Sequence, residues 1–202
     1  MNAPFPLCSE QVSLVDLRDP GEVARIEGFV AELQGSPFHR PAWLRAVEAG
    51  TGQRARGLVA EKCGIVTGWL PLTEVRSPLF APALVSSGFA VDGGALAETE
   101  KTARHLARYA SELAVRLSCA SVELRGGEAP ADWSVIEGKH AGFVAALADS
   151  DEAQLLAIPR KQRAEVRKSL ELDLSVSIGS DEADRAAHYA VYAESVRNLG
   201  TP

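Results

Sequence analysis

A cluster of basic residues near the end of the chain has the pattern best suited to chemistry. Arg160, Arg163 and Arg167 are spaced by three, four and seven residues, so in a helix they share one face, with Lys161 and Lys168 beside them. Cations this close repel one another, and guanidinium groups make bidentate contacts with phosphate or carboxylate. The cluster therefore predicts an anion-binding site. The plainer alternative is a solvated helix face that neighbouring glutamates partly neutralise.

A glycine- and serine-rich loop before a long predicted helix is a second place where an anion could bind. Backbone N–H groups and the helix dipole favour negative charge at a helix N-terminus. The sequence has neither a P-loop nor the glutamine- or arginine-led Gly-x-Gly/Ala loop that binds acetyl-CoA. A tight turn that requires glycine is therefore the alternative interpretation. The candidate loop residues are Ser86, Ser87, Gly88, Phe89, Gly93 and Gly94.

Other catalytic and metal-binding patterns find little support. The four histidines are isolated in sequence, without an HxxxH or HExxH pair, so we expect no metal site. The sequence has no GxSxG motif, and no residue can be assigned as a general base. Three cysteines, Cys8, Cys63 and Cys119, are far apart and form no CxxC pair, so neither a disulfide framework nor a zinc site follows.

The composition is that of an ordinary globular protein. The 202 residues are 46% hydrophobic and 24% charged, which is enough for one or two domains. A net charge of −6 disfavours a dedicated nucleic-acid binder. No basic segment leads into an apolar run at the N-terminus, and no stretch approaches the roughly 18 apolar residues of a membrane span. We therefore expect a cytoplasmic protein with no transmembrane segment.

The elements that position these residues are predicted in the order β-α-α-β-β-α-β. Asp19 and Pro20 give the N-cap and first position of a helix, and Lys62, Cys63 and Gly64 separate the two strands of a hairpin. This order predicts an α/β fold in which a mixed sheet has helices on both faces. The predicted strands are 12–17, 56–61, 64–74 and 120–125, with 142–148 as a further strand or edge segment, and the predicted helices are 20–34, 41–50 and 95–117.

The character of the chain changes after residue 150. A short helix precedes the basic cluster, a strand is predicted over 174–178, and a helix begins at 180–181 and runs to about residue 198. One strand with helices cannot bury its apolar face without more sheet. We therefore expect a first domain over 1–150 and, over 151–202, a basic junction helix with the start of an incomplete second domain. On this expectation the chain is a truncated piece of a longer protein.

Several stretches taken together have the character of one known family. They are SPFHRPAWLRAVEAGTG, GWLPLTEV, LFAPALVSSGFAVDGGALA, SVELR, and above all IPRKQRAEVRKSLELDLSV followed by YAVYAESVRNLGTP. These stretches resemble FemAB-like proteins of the PEP-CTERM and exosortase-associated type, and the resemblance spans nearly the whole chain. It implies a tandem acyltransferase of the GNAT superfamily, in which two GNAT-like domains form a cleft.

The resemblance also implies an activity and a set of partners. Better-understood relatives move an amino acid from aminoacyl-tRNA onto an amine of a peptidoglycan precursor. This chain would then belong to an N-acyl or aminoacyl transferase that acts on a cell-envelope or exopolysaccharide-related precursor. The donor would be acyl-CoA or aminoacyl-tRNA, with tRNA contacting only the missing second domain. The precursor would be an anionic small molecule or a lipid- or nucleotide-linked compound, its phosphates held by Arg45 and by Arg163 or Arg167.

Two alternatives to an active transferase stay open. One is a non-catalytic binding module that holds an anionic precursor with the basic helix. The other is an inactive truncated remnant. We expect the chain to be inactive by itself, because most of the donor-facing surface would lie in the second domain. A homodimer that completes the sheet is also open.

Overall fold

A computed structural model describes residues 8–127, 130–138 and 141–200 of the chain. The chain divides into two units, residues 1–139 and 140–202. A six-stranded mixed sheet lies at the centre of the first unit. Neighbouring strands follow the order β1-β2-β3-β4-β6, and β5 also pairs with β3. The β4–β6 pair is parallel, whereas the other pairs are antiparallel. The strands are β1 Gln11–Leu14, β2 Arg54–Lys62, β3 Ile65–Val75, β4 Ala83–Ser86, β5 Leu96–Ala97 and β6 Ser121–Glu123.

Helices cover both faces of this sheet, as the order of elements predicts. Alternate residues of a strand point to opposite faces, so Leu58 packs in one core cluster and Val59 in another. The first cluster includes Leu106 of the third helix, and the second includes Ile26 and Leu44 of the first two helices. The helices are α1 Pro20–Glu32, α2 Pro41–Thr51 and α3 Glu100–Arg116, with a short 3-10 helix over Pro37–His39. The predicted α/β fold with a mixed sheet is confirmed.

Local signals set most of the element ends. Asp19 caps α1 by accepting a hydrogen bond of 2.7 Å from the Gly21 N–H. Gly52 adopts φ 73° after the last residue of α2. Such a left-handed conformation suits glycine because it carries no Cβ, and it turns the chain into β2.

One predicted boundary and two predicted strands are wrong, each because the sequence pattern does not show which strands pair. Helix α3 begins at Glu100 and not at residue 95, since 96–97 pair with β3 and Thr99 caps the helix. No strand forms over 142–148 or 174–178, where Val144 and Ile178 are fully exposed. A strand without a partner has nothing to bond its backbone, so these apolar runs stay irregular.

The second unit contains three predicted helices but no buried residue among them. They are α4 Asp151–Ala157, α5 Arg160–Leu170 and α6 Glu182–Asn198, and each has only exposed or half-buried residues. Helix α5 contains the basic cluster. The start of a second domain stays a prediction. Within the described ranges, no helix combines the length and apolar character needed to cross a bilayer.

Candidate anion-binding pocket

An open pocket of about 940 Å³ lies in the first unit between the end of β1, the start of α1, the last turns of α2 and the start of β2. Its apolar lining includes Val15, Val23 and Ala55. Four arginines and two carboxylates supply the charge of the lining. These charged residues are Asp16, Arg18, Arg45, Glu48, Arg54 and Arg56.

The positive charges of this pocket outnumber its negative charges, and most of them are unpaired. Arg18, Arg45 and Arg54 form no ion pair with any described residue. Both carboxylates accept backbone hydrogen bonds, Asp16 at 3.0 Å from the Arg18 N–H and Glu48 at 3.3 Å from the Ala55 N–H. Unpaired guanidinium groups around one opening favour an anion, above all a phosphate or carboxylate.

The fourth arginine of the lining is held by a buried carboxylate. Arg56 donates to Glu74 from Nε at 3.1 Å and from Nη2 at 2.8 Å, and Arg76 Nε donates to the same carboxylate at 2.6 Å. Burial alone would raise the pKa of Glu74, but the hydrogen bonds and charges of the two arginines lower it overall. Glu74 therefore stays ionised and fixes Arg56 at the edge of the pocket.

The pocket joins one predicted site residue to three that the sequence analysis missed. Arg45 was named by resemblance alone, whereas Arg18, Arg54 and Arg56 were not singled out. They come from a loop after β1 and from the first residues of β2, so no short motif contains them. The repeat of arginine at positions 54 and 56, two residues after the glycine that ends α2, is the one local signal that could have pointed here.

The predicted serine and glycine loop lies beside the other flank of α2. Trp43 Nε1 donates to the Gly88 carbonyl at 3.1 Å, and Trp43 is two positions from Arg45, so the two side chains do not share a helix face. Gly88 N–H donates to Thr73 Oγ1 at 3.1 Å, and the Ser87 hydroxyl donates to the Phe38 carbonyl at 2.6 Å. These groups are thus engaged within the protein.

The glycines of this loop meet a packing requirement. A Cβ on Gly94 would lie 2.0 Å from the carbonyl oxygen of Gly126, and Gly93 adopts φ 110°. The Ser86 hydroxyl accepts the Arg125 N–H at 2.8 Å, while Phe89 is exposed. Helix α3 begins six residues after Gly94, so its dipole does not act on the loop directly. Anion binding by the loop stays a prediction, and close backbone approach accounts for its glycines.

His39 fastens this loop to the segment before α2. Its Nδ1 accepts the Ser36 N–H at 3.1 Å, so the other ring nitrogen carries the hydrogen and donates to the Gly94 carbonyl at 3.2 Å. Burial lowers the pKa of His39, and attraction to Asp92 and the backbone hydrogen bonds only partly oppose that effect. The folded state therefore favours the neutral ring.

Acidification should destabilise the first unit through this histidine. Because the folded pKa lies below the unfolded value of about 6.5, the stabilisation is present above that pH and is lost as the pH falls toward the folded pKa. We expect the free energy of unfolding to fall by about 1 kcal/mol more between pH 7.5 and 5.5 in the native protein than in His39→Gln. Urea unfolding at both pH values measures this difference. Equal losses in the two proteins would contradict the neutral ring assignment.

The basic cluster on α5 is only partly free. Arg163 donates from Nε and Nη2 to the Ile158 carbonyl at 3.1 and 2.9 Å and from Nη2 to the Leu156 carbonyl at 2.8 Å. These bonds cap the C-terminal end of α4, where an arginine satisfies carbonyls that lack helical partners. The other predicted anion ligands of α5 are exposed and form no ion pair in the described ranges. They are Arg160, Lys161, Arg167 and Lys168.

Glu10, just before β1, and His105 of α3 form a polar contact that the sequence analysis did not predict. Glu10 accepts hydrogen bonds from Thr102 at 2.7 Å and Thr67 at 3.3 Å, and His105 Nδ1 lies 2.9 Å from its other oxygen. Burial alone would raise the pKa of Glu10, but these three hydrogen bonds lower it overall. The described residues contain no metal-binding group of histidine, cysteine and carboxylate side chains, and His140 lies outside them.

Comparison with known proteins finds similar solved structures but no matching family. No family model matches the chain, and no curated protein sequence matches it. The chain is similar to the solved structure of a ribosomal-protein-alanine N-acetyltransferase from Brucella melitensis biovar Abortus 2308, at 13% identity over 86% of this chain and 99% of that one, with a TM-score of 0.42. A GNAT family acetyltransferase from Staphylococcus aureus matches at 15% identity over 69% of this chain and 99% of that one, with a TM-score of 0.43.

A third similar structure is the aminoglycoside N-acetyltransferase AAC(6')-Iy in complex with CoA. It matches at 10% identity over 90% of this chain and 98% of that one, with a TM-score of 0.42. All three structures are acetyltransferases. Scores this low do not assign the chain to a family, so the FemAB resemblance stays a prediction based on the sequence stretches quoted above.

Proposed function

We propose that this chain binds an anionic precursor in the arginine-lined pocket and, as part of a FemAB-type N-acyltransferase, presents an amine of that precursor to an acyl donor. One observation carries the proposal. Arg18, Arg45 and Arg54 line the same pocket, and none of them forms an ion pair in the part of the chain that the structure describes.

The arrangement suits a diphosphate better than a single carboxylate. Three guanidinium groups on separate elements offer donors from different directions, and each donates several N–H groups in a fixed plane. Cell-envelope precursors are diphosphates linked to a nucleotide or a lipid, so they match both the charge and the class of partner that the resemblance implies. The overall charge of −6 repels such anions at long range, which makes the local arginine group more necessary for binding.

The reaction would need little covalent chemistry from the protein. A neutral amine of the precursor attacks the carbonyl carbon of an acyl-CoA thioester or an aminoacyl-tRNA ester. The new N–C bond forms as the bond to sulfur or oxygen breaks, and the amine loses a proton to water or to a base that we do not assign. Fixing the precursor by its phosphates supplies orientation, which is the main contribution that this pocket could make to the rate.

A binding role without catalysis is the second candidate, and the pocket itself favours it. The two carboxylates of the lining, Asp16 and Glu48, accept backbone hydrogen bonds, and the lining contains no histidine among the described residues. The lining thus offers guanidinium groups that can bind phosphate but no histidine that could take the proton of an attacking amine. On this alternative the chain holds the precursor and another protein or domain performs the transfer.

Binding and transfer measured together separate the two candidates. Calorimetry with a nucleoside diphosphate linked to an amino sugar should show binding to the chain, with an affinity that falls as salt rises. The natural protein should then release CoA from acyl-CoA, or the amino acid from aminoacyl-tRNA, only when that amine is present. Mass spectrometry should detect the N-acylated product. Binding without product from either donor would establish the non-catalytic candidate. Absence of binding would overturn the pocket as the ligand site.

A further inference from the structure

Two cysteines that are distant in sequence meet at one end of the sheet. Gln11 of β1 lies opposite Glu61 of β2 in an antiparallel ladder, so continuing that register brings the residues just before β1 beside the turn after β2. There the thiols of Cys8 and Cys63 are close enough to form a hydrogen bond with each other. Both side chains are exposed. The sequence spacing did not predict a disulfide framework, but the β1–β2 register creates a dithiol pair.

The hairpin turn holds Cys63 in an unusual conformation. Cys63 and Gly64 have φ values of 53° and 79°, which is the pattern of a type I′ turn. Asparagine, aspartate or glycine normally occupies the first of these positions, because other side chains are rarely found at positive φ. The turn therefore presents a thiol where a turn-forming residue would be expected. A Cβ on Gly64 would meet no atom within 4 Å, so the surroundings are open to a reagent.

The third cysteine, Cys119, differs from this pair in its exposure and in its neighbours. Cys119 is half-buried and has no thiol partner among the described residues. Burial raises the pKa of Cys119, as does the nearby charge of Glu74. The pKa of Cys63 is raised as well, chiefly by its hydrogen bond with Cys8, so Cys119 serves as an internal control through its partial burial and its lack of a thiol partner among the described residues.

We propose that Cys8 and Cys63 form a modification site at which a small-molecule disulfide, such as oxidised glutathione, forms an intramolecular disulfide bond. One cysteine thiolate attacks the small disulfide, giving a mixed disulfide and releasing one thiolate. The second cysteine then attacks the protein sulfur of that mixed disulfide and releases the other half. Two electrons pass from the protein to the reagent, and the protons of the two cysteines are carried away on two reduced thiols.

The bond would enclose the anion-binding pocket in a covalent ring. Every residue that lines the pocket falls between positions 14 and 56, and thus between the two cysteines. Closing a ring of this length restricts the unfolded chain, so oxidation should raise the melting temperature of the first unit by roughly 5–15 °C. This consequence does not depend on which ligand the pocket binds, so the test below is independent of the proposed function.

The test is titration of the purified chain with millimolar oxidised glutathione under native conditions. We expect the count of free thiols to fall from three to one, with Cys119 as the remaining thiol. The mass should fall by about 2 Da, because two hydrogens leave without an adduct. Peptide mapping without reductant should find a Cys8–Cys63 link, and dithiothreitol should reverse the melting shift.

Serine variants serve as the controls. Cys119→Ser should form the same bond and show the same melting shift, whereas Cys8→Ser and Cys63→Ser should show neither. Cys8 and Cys63 are exposed, so their serine variants are expected to fold, which their reduced melting curves verify. Persistence of all three thiols, stable glutathione adducts, a link to Cys119 or disulfide-bonded dimers would each overturn the proposal.

Discussion

Replacing Arg45 by alanine should weaken binding of uridine diphosphate to this chain about tenfold, since one charge-assisted hydrogen bond contributes about 1.5–3 kcal/mol and solvent reduces it at an exposed site. The double variant Arg45→Ala with Arg54→Ala should weaken binding about a hundredfold if the two contributions add. Neither residue forms an ion pair with a described residue, so their removal leaves no carboxylate unpaired. Isothermal titration calorimetry at low salt measures the dissociation constants.

Two control variants make this result specific. Arg108→Ala removes an exposed arginine of α3, which also forms no ion pair in the described ranges and does not line the pocket. Its affinity should equal that of the native chain. Arg167→Ala removes a free cation of the basic helix in the other unit. If Arg167→Ala lost affinity and Arg45→Ala did not, the basic helix would be the ligand site and the pocket assignment would fail.

Trp69→Ala should destabilise the first unit by about 3–5 kcal/mol, which is a large part of the stability of a small domain. Trp69 is fully buried in the cluster under α1 and α2, and its Nε1 donates to the His39 carbonyl at 2.7 Å. Alanine would leave both a cavity and an unpaired buried carbonyl. Because α1 contributes Val23 and α2 contributes Arg45 to the pocket, we expect ligand affinity to fall together with stability.

Trp133→Ala is the matched control for this prediction. Trp133 belongs to neither core cluster, so its removal should cost less than about 1 kcal/mol. Urea unfolding followed by far-ultraviolet circular dichroism compares the two variants without relying on tryptophan fluorescence. Similar losses in both variants would contradict the assignment of Trp69 to the core of the unit.

Much of the fold follows from signals that act within a few residues. The pair Asp19 and Pro20 starts α1 because an N-cap oxygen and a fixed φ act on the adjacent backbone. The hairpin follows from two apolar runs separated by Cys63 and Gly64, and the mixed α/β class follows from the order of such elements. These features were predicted correctly because the physical cause lies inside the segment itself.

The tertiary structure decided the features that join distant segments. Residues 96–97 do not belong to the helix predicted for them because β3 offers them backbone partners. Residues 142–148 form no strand because no described strand pairs with them. Pairing energy depends on a second strand that no local pattern contains.

The basic helix can be recognised in the sequence because its five cations fall within nine residues. The arginines of the pocket come from three separate elements, and Cys8 meets Cys63 only through the register of β1 on β2. The sequence by itself thus determined the elements and their class. Only folding determined which charges and thiols meet, since contacts between distant residues depend on how the whole chain packs.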